Sequence, residues 1–265
     1  MKANPALHRA DGRKLLDLRP VSIEVDATPY AEGSCLIRQG LTRVLIAATV
    51  EEKTPPFLRD RGEGWVTAEY GMLPRATHER SPREAVRGRQ SGRTLEIQRL
   101  IGRALRGVAD RKAFPDLTIT LDCDVVAADA GTRCASVTGA FVALVLALER
   151  VSKEKKIRTS PIREQVAAIS VGLLSAHPPS DRSLVALDLD YSEDSTAEVD
   201  LNLVGTSSGR FVEVQGTAEG KPFSDEDLAA MIEAGRKGLR KLFQLQREVL
   251  EGRVPDEWLD RRPPP

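Results

Sequence analysis

The chain has 265 residues, and its 39 lysines and arginines balance its 39 aspartates and glutamates, so the formal net charge at pH 7 is zero. This balance argues against a generally basic nucleic-acid coat, although it allows a local basic patch. A hydrophobic fraction of 41% is typical of a globular protein that buries one large core or two packed halves. The three cysteines form no C-x-x-C pair, which argues against zinc and thioredoxin-type sites and fits a reducing cytosol.

The N-terminus and the apolar runs decide the expected location. Residues 1–14 are polar and contain no apolar core, so they indicate no secretory signal peptide. The longest apolar run, 140–148, is too short to span a bilayer. We therefore expect a cytoplasmic protein without a membrane partner.

The first half begins with strands. Apolar alternation predicts three of them, over 21–27, 34–38 and 43–50. Gln39-Gly40 lies between the second and the third, which predicts a hairpin turn. A segment rich in glycine, proline and arginine follows over 53–92, and it predicts a long functional loop.

Two helices and a strand complete this half. Apolar residues recur at helical spacing over 97–108, and strict alternation over 117–125 predicts a half-buried strand. A turn at 129–133 precedes a helix that extends to about Lys153. Its residues 135–148 carry no charge, so we expect a central, buried helix.

The second half repeats the pattern of strands followed by a helix. Four strands are predicted, over 166–174, 184–191, 197–204 and 210–217. Ser224 is predicted to cap a long helix, with Asp227 as its capping-box partner and Gly252 as its stop.

These elements predict an α+β fold made of two similar βαβ-type halves, with helices packed on mixed sheets. We divide the chain into a first half over 9–155, a second half over 156–251, and a tail over 252–265. The tail ends in three prolines, and we expect it to be mobile.

An arginine cluster stands between positions 75 and 93. It contains no lysine and consists of Arg75, Arg80, Arg83, Arg87, Arg89 and Arg93. Guanidinium groups match phosphate oxygens in pairs, so this composition suits contact with an RNA backbone. The alternative is a solvated surface loop with ordinary charges.

The turn Gly131-Thr132-Arg133 precedes the apolar helix. A helix N-terminus offers unpaired N–H groups, glycine allows a close backbone approach, and threonine and arginine add donors. Together they could bind inorganic phosphate. The alternative is a plain strand-to-helix turn with a capping threonine.

An acidic run follows in the second half. Its members are Asp188, Asp190, Glu193, Asp194, Glu198 and Asp200. Asp188 and Asp190 stand two apart on a predicted strand, so they should share a face, and Asp194 follows in the next turn. Carboxylates near a phosphate site suit Mg²⁺ or donation of a proton to a leaving oxygen. The alternative is a solvated acidic edge.

Several long strings resemble the bacterial ribonuclease PH family. They are residues 64–77, 92–106, 121–125, 131–133 and 214–220. The resemblance runs in order from about Arg9 to Leu250, with a short insertion at 181–182 and no counterpart for the tail beyond Gly252. It implies the ribonuclease PH fold and a phosphate-dependent 3′ exoribonuclease. Such an enzyme trims tRNA precursors, and rRNA, releases nucleoside diphosphates, and also runs in reverse.

The resemblance also implies roles for individual residues. The phosphate site, for inorganic phosphate as co-substrate, is implied at Arg93, Gly131, Thr132 and Arg133. The active-site aspartates, which would hold Mg²⁺ or supply a proton, are implied at Asp188 and Asp194. The grip on tRNA is implied at Arg75, Arg80 and Arg83. The implied assembly is a homohexameric ring, a trimer of dimers.

Three other functions stay open at this point. A non-catalytic ring subunit of an exosome-like complex should lack the arginines or aspartates, which this chain has. A hydrolytic metal-dependent nuclease would need a denser carboxylate cluster and no phosphate cradle. A synthetic tailing enzyme would use the same site in reverse.

Overall fold

The computed structural model describes residues 9–155, 157, 159–175 and 183–259. The first sheet contains β1 (Val21–Val25), β2 (Gly33–Gln39), β3 (Thr42–Glu51), β4 (Trp65–Met72) and β5 (Thr118–Ala127). The second contains β6 (Val166–Ser175), β7 (Ser183–Leu187), β8 (Val199–Thr206) and β9 (Phe211–Ala218). The helices are α1 (Glu84–Arg87), α2 (Gly92–Val108), α3 (Thr132–Lys155), α4 (Tyr191–Asp194), α5 (Asp225–Leu250) and α6 (Asp256–Leu259).

The two sheets differ in how their strands pair. The first has the order β1-β2-β3-β5-β4, and the second has the order β7-β6-β8-β9. In the first sheet β4 and β5 run parallel, connected by α2, and the other neighbours run antiparallel. All pairs in the second sheet are antiparallel, so the βαβ connection of the described residues lies in the first half. The predicted α+β fold is confirmed.

Strand β4 lies inside the segment that was predicted as one long loop. Val66, Ala68 and Tyr70 are buried, while Glu69 between them is exposed. This is the period-two pattern of a strand with one buried face. The loop prediction over 53–92 was therefore wrong for these residues, and the arginine cluster begins only after β4.

Helix α3 occupies the centre of the molecule, as predicted. It packs against β2 and β3 of the first sheet and against β6 of the second. Over Thr132–Glu154 it is long and apolar enough to cross a membrane, with a mean hydropathy of 1.7, but 89% of that window is buried within the fold. Its apolar surface is thus used to join the two sheets.

The end of the chain departs from the prediction of a mobile tail. The Ser224–Asp227 capping box forms and α5 ends at Leu250, yet the chain then folds back. Val254, Trp258 and Leu259 are buried in the same apolar cluster as α3. Burial of these large apolar side chains against the core stabilises the folded-back segment. Residues 260–265 lie outside the described residues, as does the insertion at 181–182.

Candidate active site at the junction of the two sheets

The predicted phosphate turn connects β5 to α3. Ala130 and Gly131 both have positive φ, 55° and 66°, a conformation that glycine adopts without a steric cost. A Cβ on Gly131 would lie 3.0 Å from Nη2 of Arg19. The hydroxyl of Thr42 donates to the carbonyl of Ala130 at 2.7 Å. The turn is therefore held by its neighbours, with the free N–H groups of the first helical turn beside it.

Arg133 lies in the first turn of α3 and points towards the second sheet. Its Nη1 donates to Oε1 of Gln215 on β9 at 2.9 Å, and its Nη2 lies 3.4 Å from Oε2 of Glu96 on α2. The side chain is 15% exposed. Gln215 and Glu96 thus fix the Arg133 guanidinium, and its positive charge remains close to the phosphate turn.

The hydroxyl of Tyr70 lies beside the phosphate turn and feels the charges of Arg93 on α2 and Arg133 on α3. The hydroxyl of Tyr70 lies 2.9 Å from Oγ1 of Thr132. Burial raises the pKa of Tyr70, while its hydrogen bond with Thr132 and the positive charges of Arg93 and Arg133 act to lower it. The positive charges of both arginines therefore contribute to the electrostatic potential beside the turn. Arg93 itself is exposed in the first turn of α2, so its guanidinium is accessible to an anion from solvent.

Two carboxylates from the second half face the same arginines. Burial raises the pKa of Asp194 at the end of α4, and Arg93 and Arg133 oppose this rise. Burial and the charge of Asp194 raise the pKa of Asp200 on β8. Oδ2 of Asp200 accepts a hydrogen bond from Asn202 at 3.0 Å, whereas Oδ1 is buried without a partner. Asp200 was noted only as part of the acidic run, and its place in the site was not predicted.

The predicted placement of Asp188 and Asp190 on one strand face was wrong. Strand β7 ends at Leu187, Asp188 has φ of 56°, and Asp190 caps α4. Asp188 is fully buried. Its carboxylate accepts hydrogen bonds from the backbone N, Nε and Nη2 of Arg19 and from Nε2 of Gln39, at 2.7–3.1 Å.

These environments decide how the aspartates fit Mg²⁺. Asp188 does not fit as a direct ligand, because its side chain is inaccessible and already bound by two cationic or amide partners. Asp194 and Asp200 fit better, since Mg²⁺ is commonly held by one or two carboxylates together with substrate phosphates. Among the described residues, no group of three or more His, Cys, Asp or Glu is arranged to hold a metal ion.

The arginine cluster is connected to this site through the segment that carries Arg75. All six of its arginines are exposed. Nη1 of Arg75 donates to the carbonyl of His78 at 2.9 Å, and the His78 ring lies 6.0 Å from that of Tyr191 on α4. The N–H of Ala128 donates to the carbonyl of Ala76, which connects the cluster to the strand end before the phosphate turn. The prediction that Arg75, Arg80 and Arg83 bind RNA remains a prediction.

Comparison with known proteins supplies the family. The sequence matches the 3′ exoribonuclease family, domain 1 over residues 17–148 and domain 2 over residues 164–238. The chain belongs to this family. This is the 3′ exoribonuclease family of the ribonuclease PH type, and the site described above spans both matched domains.

Two solved structures share the fold of this 3′ exoribonuclease family member. Rrp46 of rice (Oryza sativa) is 21% identical, with a TM-score of 0.72, over 92% of this chain and 100% of that chain. The Archaeoglobus fulgidus exosome with RNA bound to the active site is 19% identical, with a TM-score of 0.71, over 89% of this chain and 92% of that chain. At such identities the likeness shows the two-domain α+β fold.

Proposed function

We propose that the protein is a phosphate-dependent 3′ exoribonuclease of the bacterial ribonuclease PH type. It removes nucleotides from the 3′ ends of tRNA precursors, and of rRNA, in the cytoplasm. The observation that supports the proposal most is the positive charge beside the Thr132 turn: Arg93 and Arg133 both act to lower the pKa of Tyr70, whose hydroxyl lies 2.9 Å from Oγ1 of Thr132. Phosphorolysis needs a site of this kind for a second anion, the phosphate nucleophile, beside the scissile phosphodiester.

In the proposed reaction inorganic phosphate binds between Arg93 and the Gly131-Thr132-Arg133 turn. A phosphate oxygen attacks the last phosphodiester, the new P–O bond forms, and the bond to the 3′ oxygen of the preceding nucleotide breaks. A nucleoside diphosphate leaves, and the shortened RNA ends in a 3′ hydroxyl. Because two anions must meet, positioning and neutralisation of charge by the arginines account for most of the rate gain.

The leaving 3′ oxygen requires a proton. Asp194 and Asp200 are the available sources, because burial raises the pKa of both carboxyls and a general acid works best when its pKa approaches the working pH. The carboxyl that donates this proton is neutral and does not hold Mg²⁺. Mg²⁺ bound by the other, ionised carboxylate together with phosphate oxygens would supply further neutralisation of the phosphate charges.

RNA is held by the exposed cluster in this proposal. Arg75, Arg80 and Arg83 contact the RNA backbone, and in a hexameric ring built as a trimer of dimers they reach the site of a neighbouring subunit. Such an arrangement explains how a chain of zero net charge concentrates positive charge where RNA enters.

The test is to incubate the protein with Mg²⁺ and a tRNA that carries extra 3′ nucleotides, with and without inorganic phosphate, and to resolve the released nucleotides. We expect nucleoside diphosphates only with phosphate, and addition of nucleotides when diphosphates are supplied instead. Monophosphates formed without phosphate would indicate a hydrolytic nuclease. Tight RNA binding without release would indicate a non-catalytic ring subunit. An Arg93→Ala variant should no longer release nucleotides. The matched control is Arg99→Ala, because Arg99 lies on the same helix and is also exposed.

A further inference from the structure

We propose that Arg19 positions the phosphate turn and that Asp188 acts through Arg19, as the residue that fixes its guanidinium. This inference rests on the proposed function, because it assigns a role within the same site. It places Asp188 outside the set of groups that touch phosphate, metal or RNA. Nothing in the sequence patterns marks Arg19, which stands just before β1 in an ordinary Leu-Arg-Pro string.

Arg19 connects the two halves of the molecule through one side chain. Its Nη2 and Nε donate to Oδ1 of Asp188 at 2.7 and 3.1 Å, and its backbone N donates to Oδ2 at 2.7 Å. The remaining nitrogen, Nη1, donates to the carbonyl of Asp129 in the turn between β5 and α3. Asp188 belongs to the second half of the chain, whereas the carbonyl of Asp129 belongs to the phosphate turn of the first half.

The guanidinium also lies directly against Gly131. A Cβ at that position would come within 3.0 Å of Nη2 of Arg19, which is closer than nearly all real Cβ contacts. The positive φ of Ala130 and Gly131 is unfavourable for alanine and must be held by surrounding contacts. A shift of the Arg19 side chain would therefore remove both a hydrogen bond and a steric support from the turn.

Asp188 is itself immobilised through its backbone. It is a non-glycine residue with φ of 56°, and its carbonyl accepts hydrogen bonds from Arg9 and Arg13 at 2.8 and 2.9 Å. Arg9 also forms a buried ion pair with Glu193 of α4, next to Asp194. The same network therefore relates the turn that precedes Arg133 to the helix that carries Asp194.

The charge of Arg19 is secured by its partner. Burial lowers its pKa, but the charge of Asp188 and their hydrogen bonds raise it above the ordinary value, with smaller contributions from Asp129 and Asp190. These are the charged groups that face Arg19 from the turn and from the second half. Arg19 consequently remains a cation wherever the enzyme works, with its side chain only 3% exposed.

The experiment compares Arg19→Lys, Asp188→Asn and Asp194→Asn with the wild type in the full chain. Equilibrium binding of inorganic phosphate is measured by titration calorimetry, and binding of Mn²⁺, as a probe for Mg²⁺, by electron paramagnetic resonance. The KM values for phosphate and RNA are measured separately. Arg38→Lys is the matched control, since Arg38 adjoins Gln39 but forms an exposed pair with Glu24.

We expect Arg19→Lys and Asp188→Asn to weaken phosphate binding and raise its KM about tenfold or more, the usual effect of removing a partner that orients a binding group. The KM for RNA and the affinity for Mn²⁺ should not change, and Arg38→Lys should match the wild type. Asp194→Asn should instead lose Mn²⁺. Loss of Mn²⁺ binding in Asp188→Asn with normal phosphate affinity would overturn the inference, as would normal phosphate affinity in a folded Arg19→Lys protein.

Removing one member of a buried ion pair can unfold a protein, because the other charge is left unpaired. The double variant Arg19→Gln/Asp188→Asn removes both charges and should fold while still binding phosphate weakly. Normal phosphate binding by that variant would refute the inference. If the wild type binds phosphate but releases no nucleotides, the proposed function fails and calorimetry still decides the role of Arg19. If it binds no phosphate, both fail.

Discussion

Replacement of Arg133 by alanine tests the phosphate site most directly. Loss of one donor preorganised for transition-state charge costs about 3 kcal/mol, which corresponds to a fall of about 150-fold in kcat/KM. Since the Arg133 side chain is only 15% exposed, solvent screening reduces this little. The change also leaves Glu96 without its cation, and Oε1 of Glu96 already lacks a partner. The unpaired carboxylate repels phosphate, so the loss should exceed this figure.

The assay is release of the terminal nucleotide from a short RNA over a series of phosphate concentrations, with thermal unfolding measured in parallel. Arg150→Ala is the matched control, because Arg150 is exposed on the same helix, about 26 Å away at 1.5 Å per residue. Arg133→Lys keeps the charge but loses the planar fork, so it should recover part of the activity. A correctly folded Arg133→Ala enzyme within about threefold of the wild type in kcat/KM would refute the assignment of transition-state binding to this residue.

Three further predictions concern the arginine cluster, Asp122 on β5 and the C-terminal segment that carries Trp258. Combined replacement of Arg75, Arg80 and Arg83 by alanine should weaken RNA binding and reduce the slope of log K against log salt by about 2, leaving the KM for phosphate unchanged. Asp122→Asn should stabilise the protein at pH 7, measured by urea unfolding. Burial and two neighbouring carboxylates raise the pKa of Asp122, so its ionisation opposes folding as pH rises through that pKa. The gain in stability of the Asp122→Asn variant should therefore vanish below about pH 4, where the aspartate is protonated in both the folded and the unfolded state. Trp258→Ala should lower the free energy of unfolding by about 3–5 kcal/mol, whereas a mobile tail predicts no change.

Most helices and strands were predictable because their signals are local. The charge-free stretch of α3, the hairpin between β2 and β3 and the Ser224 capping box follow from periodicity and turn chemistry. Strand β4 was missed although Val66, Ala68 and Tyr70 alternate, because the surrounding glycines, prolines and arginines suggested a loop. The alternation was the better guide, since pairing with β5 satisfies its backbone whatever the composition of its flanks.

The structure of the site could be predicted from the sequence at the turn between β5 and α3, which depends on local residues. It could not be predicted around Asp188 and Arg19, which are held by charges far apart in the sequence. The place of Thr132 and Arg133 at the start of α3 follows from the strand-to-helix turn, and their binding of phosphate remains a prediction. Alternation of its neighbours predicts a strand at Asp188, yet its carbonyl is bound by Arg9 and Arg13 and its carboxylate by Arg19, all far away in the sequence. Arg19 was overlooked for the same reason. An arginine is normally exposed, and only an acid 169 residues away makes its burial favourable.

The site is divided between the two halves, so its geometry depends on how α3 is oriented between the sheets. Apolar packing alone is non-directional and would allow α3 to rotate or slide. Gln246 of α5, which is fully buried, prevents this by donating to the carbonyls of Thr138 on α3 and Val166 on β6 at 3.0 and 2.9 Å. The Thr138 hydroxyl in turn accepts from the N–H of Ala168 at 3.1 Å. Because a slipped helix would leave these buried groups unpaired, the network fixes the register of α3, and with it the distance from Arg133 to the carboxylates of the second half.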